Sequence, residues 1–141
     1  MDHTQDDAVD VGLINSGNAS YTFEVWVGER PLEGIQRHSQ NNETEPIPIV
    51  TGLNTIILDD VQPPVTFVSF PNSTRQVEQI TLTPDDTREF SVEDMPSDPV
   101  IVITVRNDER IFAIVTATCS GDFRYVEVTS LDERTSSAYN C

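Results

Sequence analysis

Few side chains in this chain are equipped for bond-making chemistry. His3 and His38 are the two histidines, Cys119 and Cys141 the two cysteines, and Met95 the one methionine after the first residue. Two imidazoles, a thiolate and a thioether make a blue-copper set. Only His3, His38, Cys119 and Met95 are available to assemble one, and their spacing argues against it, because no Cys, His and Met stand close together on a single loop. A serine nucleophile would need His38 as its base, yet no Gly-x-Ser-x-Gly elbow is present. The P-loop, Gly-x-Gly-x-x-Gly, His-Glu-x-x-His and Cys-x-x-Cys patterns are missing as well. His38 with nearby acids is therefore the one place left for a small metal-dependent enzyme or an electron carrier. A solvated loop histidine is the simpler reading, and no catalytic residue and no cofactor are assigned.

Hard cations want oxygen ligands. Asp59-Asp60, Asp85-Asp86, and Glu93-Asp94 with Asp98 set carboxylates side by side. Calcium takes roughly six to eight oxygens from a loop of defined spacing, and none of these reproduces Asp-x-Asp-x-Asp-Gly. In a chain with 24 acidic residues, neighbouring acids are expected as surface charge. Glu93, Asp94 and Asp98 come nearest to a cation site.

The cysteines read differently. Pairing Cys119 with Cys141 closes a loop of about 20 residues and stabilises by roughly 3 kcal/mol in the chain-entropy model. It also pins a polar tail that would otherwise fray. A disulfide implies an oxidising compartment, and two free thiols would imply the cytoplasm. Asn18-Ala-Ser, Asn42-Glu-Thr and Asn72-Ser-Thr match the N-glycosylation pattern and fall in or beside expected loops. They agree with export, as acceptor sites or as unmodified loop asparagines. No signal peptide or membrane span is visible. Met1 is either a native start or a start placed on a mature fragment.

Charge bounds the environment. The formal net charge is −16, all 8 basic residues are arginine, and lysine is absent. The acids run along the whole chain, from Asp6 and Asp7 to Asp132 and Glu133. Such a surface repels itself in dilute buffer and is tolerable where molar salt cuts the Debye length to about 3 Å. The lysine-free, acid-rich composition resembles that of haloarchaeal proteins. Eight scattered arginines form no stripe for phosphate, so nucleic acid is not an expected partner.

The elements that would position these groups are strands. "SYTFEVWVG" alternates, with Tyr21, Phe23, Val25 and Val27 on one face and Trp26 on the other, where burial against a second sheet is expected. "AVDVGLIN" has the same period, with a turn at "NSGN". "TIILDDV", "PVTFVSF", "VEQITLT" and "REFSV" are further short strands, and "TPDD" reads as a type I turn with Pro84 at its second position. "PVIVITVRNDERIFAIVTATC" is two β-rich runs about Asn107-Asp108. Val100 to Val105 is apolar on both faces apart from Thr104, which suits a strand covered on both sides. "RYVEVTS" reads as the third strand of that meander. "LEGIQRHSQNNETE" reads as a loop because of Gly34 and its low apolar content. Residues 29–46 are then a long polar loop, the expected contact surface.

About seven to nine short strands with little or no helix predict an all-β, two-sheet β-sandwich over residues 8–141, after a flexible segment 1–7. "ITLTPDDTREFSV" and "INSGNASYTFEVWV" resemble patches of immunoglobulin-like and cupredoxin-like modules of archaeal surface proteins. That resemblance covers some 30 residues and implies fold class only. The resulting expectation is an extracellular or cell-surface halophilic module that binds another protein or a cell-surface component without catalysis. An intracellular acidic β protein is the alternative.

Overall fold

The computed structural model describes residues 8–132 and 134–141. Segment 1–7, with His3, lies outside the described residues. In chain order the strands are β1 Val9–Asn15, β2 Tyr21–Glu29, β3 Gln36–Ser39, β4 Thr44–Pro46, β5 Leu53–Ile57, β6 Val65–Ser69, β7 Arg75–Leu82, β8 Thr87–Val92, β9 Pro99–Arg106, β10 Ile111–Thr118, β11 Tyr125–Leu131 and β12 Arg134–Asn140. No helix occurs among the described residues. The fold is an all-β sandwich built from several packed sheets.

Three sheets form, with orders β12-β11-β1-β8, β5-β10-β9-β2-β7 and β4-β3-β6. The five-stranded sheet is the middle layer. Val9, Val11, Leu13, Phe23, Val25, Ile101, Ile103, Val105, Val115, Phe123, Val126 and Val128 fill the space between it and the four-stranded sheet. Leu32, Ile35, Ile47, Leu58, Val65, Val100, Val102 and Ile114 fill the space on its other side, toward the three-stranded sheet. β9 explains this arrangement most directly. Every residue from Pro99 to Val105 is buried, with Ile101, Ile103 and Val105 in one core and Val100 and Val102 in the other. Both faces are covered, as the continuous apolar run requires.

β2 divides in the same way. Tyr21, Phe23, Val25 and Val27 join the first core. Trp26 turns to the second, half-buried rather than buried, with its ring stacked at 4.1 Å on Phe70. In β10 a bulge between Ile111 and Ala113 puts Ile111 and Ile114, three apart, into the same core. A bulge between His38 and Ser39 works likewise on β6: Val65 is fully buried while Phe67, two residues on, is 49% exposed.

Several sequence expectations change. Nine of the strands were legible, but β3, β4 and β12 were not. β3 and β4 lie inside the segment read as a loop. Their residues are polar and mostly exposed, and they are held by backbone pairing to β6 rather than by an apolar face of their own. β12 is the polar tail, and it pairs with β11 over seven residues from Leu131↔Arg134 to Tyr125↔Asn140. β11 does not extend the β9–β10 meander. It crosses to the outer sheet and runs parallel to β1. Its burial alternates, with Val126, Val128 and Ser130 inward, so it has one wet face and suits an outer layer. The early pair β1 and β2 likewise splits between two sheets. The Thr83–Asp86 turn closes by a backbone hydrogen bond of 3.1 Å, but Asp85 has φ 70°. A positive φ at the third position makes it type II rather than type I.

Buried Asn15 joins two of the sheet-crossing turns. Its amide donates to the carbonyls of Ala19 (2.8 Å) and Leu82 (2.9 Å), and its Oδ1 accepts from Gly17. The bulge on β6 yields a test. Phe23→Ala should cost about 3–5 kcal/mol, and Phe67→Ala about 1 kcal/mol or less, measured by urea unfolding in molar salt. Equal costs would contradict the assignment of Phe67 to the solvent side.

Candidate binding site

The registers place one set of turns at a common end of the molecule. Glu29 opposes Pro99, Gly28 opposes Val100, Thr118 opposes Val100 from the other side, and Leu53 opposes Ala117. β2 therefore exits beside the start of β9, the end of β10 and the start of β5. The chain leaves β2 through a cis Arg30-Pro31 bond and folds back so that Leu32 lies over the strand it has left. Gly28 permits this, since a Cβ there would stand 2.8 Å from Leu32 Cδ2. Gly34, at φ 91°, turns the segment toward β3. After β4, the stretch Pro46-Ile47-Pro48-Ile49 runs alongside. The Ile47 amide donates to the Ile35 carbonyl at 2.9 Å, Ile47 is buried, and the two prolines face outward.

Between these stretches lies an open cleft of about 730 Å³, walled by residues 30–35 and 46–49 and closed at one side by Asp98. Its walls are mostly proline and aliphatic side chains, with Arg30, Glu33 and Asp98 adding charge. Arg30 fixes its mouth: Nε and Nη2 donate to Asp98 Oδ1 at 2.8 and 2.6 Å, and Nη2 also donates to the Cys119 carbonyl at 2.9 Å. The Arg30 amide adds a bond to the Asp98 carbonyl at 2.9 Å. One guanidinium thus ties three chain segments together, a use that suits its planar fork. Cys119 is joined to Cys141, with Cα atoms 5.7 Å apart, so the same node holds the end of β12.

The residues singled out from sequence fall elsewhere. His38 stands in β3 rather than in a loop. Its ring stacks on Phe67 at 4.1 Å and its Nε2 meets Ser69 Oγ at 2.8 Å. Among the described residues no carboxylate hydrogen-bonds to this imidazole, so the Ser-His contact lacks the orienting acid of a hydrolytic triad. Met95 packs against the first core, and Cys119 is committed to its disulfide, so His38, Met95 and Cys119 do not form a copper set. Glu93, Asp94 and Asp98 do not converge either. The Glu93 and Asp94 carbonyls accept from Arg75 Nη2 at 2.8 and 3.1 Å, while Asp98 holds Arg30. Among the described residues no three His, Cys, Asp or Glu side chains come together to hold a metal. Asp86 caps its own turn through Thr83, and Asp59 and Asp60 sit in the turn after β5. Asn18, Asn42 and Asn72 are all exposed at turns.

Of the segment 29–46, read as a loop, residues 30–35 and Pro46 line the cleft and the rest forms β3, β4 and their connection; Ile47–Ile49 lie beyond it. The alternating Pro-Ile-Pro-Ile was the available signal: two prolines without amide donors, separated by apolar residues, mark an extended segment that packs without entering a sheet. Electrostatically, Tyr125 stands out. Partial burial, then Glu127 (both as a charge and as acceptor of the phenol's hydrogen bond), then Glu89 and Asp10 raise its pKa above the ordinary tyrosine range. Comparison with protein-family models, curated proteins and solved structures gives no match to this chain.

Two outcomes follow. Cys141→Ser should cost about 3 kcal/mol in molar salt and speed amide exchange in β12 ahead of β11; unchanged stability would deny the bond its role. An ultraviolet alkaline titration should show a tyrosine ionising above the ordinary range, and Tyr125→Phe should remove that component. Because its folded pKa lies above its unfolded one, its contribution to stability is present below the ordinary value and is lost as pH climbs through the folded one. Added salt should lower the pKa by screening the three carboxylates, leaving the effect of burial.

Proposed function

We propose that this chain is an extracytoplasmic β-sandwich module of a halophilic organism, of the immunoglobulin-like or cupredoxin-like kind, that binds another protein or a cell-surface component and catalyses nothing. The cleft walled by residues 30–35 and 46–49 is its contact site. The observation that carries this reading is the Arg30 node, where one ion pair and one disulfide brace a preformed, partly apolar cleft at the end of a sandwich. Preorganisation of this kind lowers the entropic cost of binding. The acidic, lysine-free composition supports the brine environment, and the disulfide with three exposed sequons supports an oxidising, external one. Among the described residues no helix is long and apolar enough to cross a membrane.

Two measurements test the reading. Circular dichroism should show the β signal lost on dilution from molar to millimolar salt; a fold equally stable at both would remove the halophilic part. For the contact site, the exposed wall residue Pro48 is the probe. Pro48→Arg should abolish recovery of the partner from the host's envelope fraction, and Phe67→Ala should leave it intact. Partner recovery unaffected by Pro48→Arg would move the site elsewhere. Copper or zinc in stoichiometric amount in the purified protein would favour the His38 alternative instead.

A further inference from the structure

The six edge strands of the three sheets are not equally protected. Edge strands template unwanted pairing, and proteins blunt them with charge, proline or bulges. β7 carries Arg75 and Glu78 and meets β2 through a bulge. β8 carries Arg88 and Glu89. β4 is three residues long and contains Glu45 and Pro46. β6 is kinked by the bulge opposite His38 and Ser39. β5 and β12 have none of these devices in their interiors. Their registers with β10 and β11 are unbroken, and neither contains proline. Residues 46–58 and 135–141 hold no charged side chain, in a protein of net charge −16.

These two undefended edges lie side by side. Thr55 Oγ1 and Ser137 Oγ are 2.7 Å apart, which joins the edge of the middle sheet to the edge of the outer one. Four of the five large apolar side chains left exposed (Val50, Ile57, Leu131 and Tyr139) belong to this border or to the turns that bound it. Their placement is two-ended. Leu53 opposes Ala117, and Cys119, just beyond, is bonded to Cys141, so Val50 and Tyr139 share one end. Ile57 and Leu131 share the other, because Leu131 opposes Arg134 at the start of β12. Between the two ends lie Thr135, Ser136, Ser137 and Ala138. Tyr139 is held for contact by an edge-on packing against buried Phe123, with centroids 6.3 Å apart. Asp132, next to Leu131, is engaged by Asn18 and Tyr21, and Glu127 stands opposite Ala138 on β11.

We propose that this border is where a second copy of the chain docks, β12 against β12 in antiparallel fashion about a two-fold axis near Ser137. Antiparallel pairing of identical strands is self-complementary. It would bring the Val50–Tyr139 end of one copy onto the Ile57–Leu131 end of the other, apolar to apolar at both ends. Charge selects the surface: two copies this acidic repel one another everywhere that carboxylates stand, and contact costs least at a border whose edge segments, 46–58 and 135–141, carry no charged side chain. Salt that screens the remaining repulsion strengthens the contact.

Sedimentation velocity on the intact chain in molar salt, at about 100 µM, tests the proposal. The wild type should be a dimer. Ile57→Glu and Tyr139→Glu, at opposite ends, should each weaken dimerisation about tenfold or more, with far-ultraviolet circular dichroism unchanged. Phe67→Glu, on an exposed aromatic away from the border, should leave the dimer intact. A monomeric wild type at every salt concentration overturns the proposal, and so does a dimer that survives both border substitutions. Pro48→Arg should not change the dimer, so failure here and failure of the cleft reading are separable.

Discussion

Strand β9 has no solvent side, and the rest of the molecule is arranged to provide its two covers. An apolar strand buried on both faces cannot close a two-layer protein by itself, because the second face would remain wet. Each fully buried Ile or Val there gains about 1.5–3 kcal/mol from leaving water, and that gain is available on both sides only if a third layer exists. The four-stranded sheet supplies one cover with alternating strands of its own. The other cover is assembled from less: short polar strands β3 and β4, the bulged β6, and the segments around Leu32, Ile35, Ile47 and Leu58, which carry the apolar side chains. The cleft is a product of this economy. Its walls are the very segments that cover the second face of the middle sheet, and they leave a gap where they meet.

The arginines show how an acidic chain without lysine uses its few cations. Arg30 donates to the Cys119 carbonyl, Arg75 to those of Glu93 and Asp94, Arg106 to that of Asn107, and Arg110 to those of Leu58 and Val61. Guanidinium forks satisfy carbonyls at turns where the sheet ladders end. Ion pairs are few among the described residues: Arg30–Asp98, Arg37–Glu45 and Arg88–Glu78. Exposed pairs of this kind contribute about 0–1 kcal/mol, so the positive charge serves mainly to staple loops. Carboxylates are left to face one another, as they do around Tyr125, a repulsion that added salt screens.

By itself the sequence determined whatever depends on local pattern. Alternation marked β1, β2, β7 and β11, short β-rich runs between turns marked β5, β6 and β8, apolar runs marked β9 and β10, and their sum required an all-β fold. The placement of Cys119 and Cys141 about a polar tail made the disulfide legible. Tertiary structure alone decided which strands share a sheet, because an inward face looks the same from either layer: β11 alternates equally well as a meander neighbour of β10 and as a parallel neighbour of β1. It alone made strands of β3, β4 and β12, whose backbones pair without an apolar face to announce them. It alone sent Val65 inward and Phe67 outward, since a bulge reverses faces without changing composition. The cleft was half legible for the same reason. Residues 29–46 were visible as a polar segment, whereas the wall at Pro46–Ile49 and the Arg30–Asp98–Cys119 node exist only once strands distant in sequence have brought their ends together.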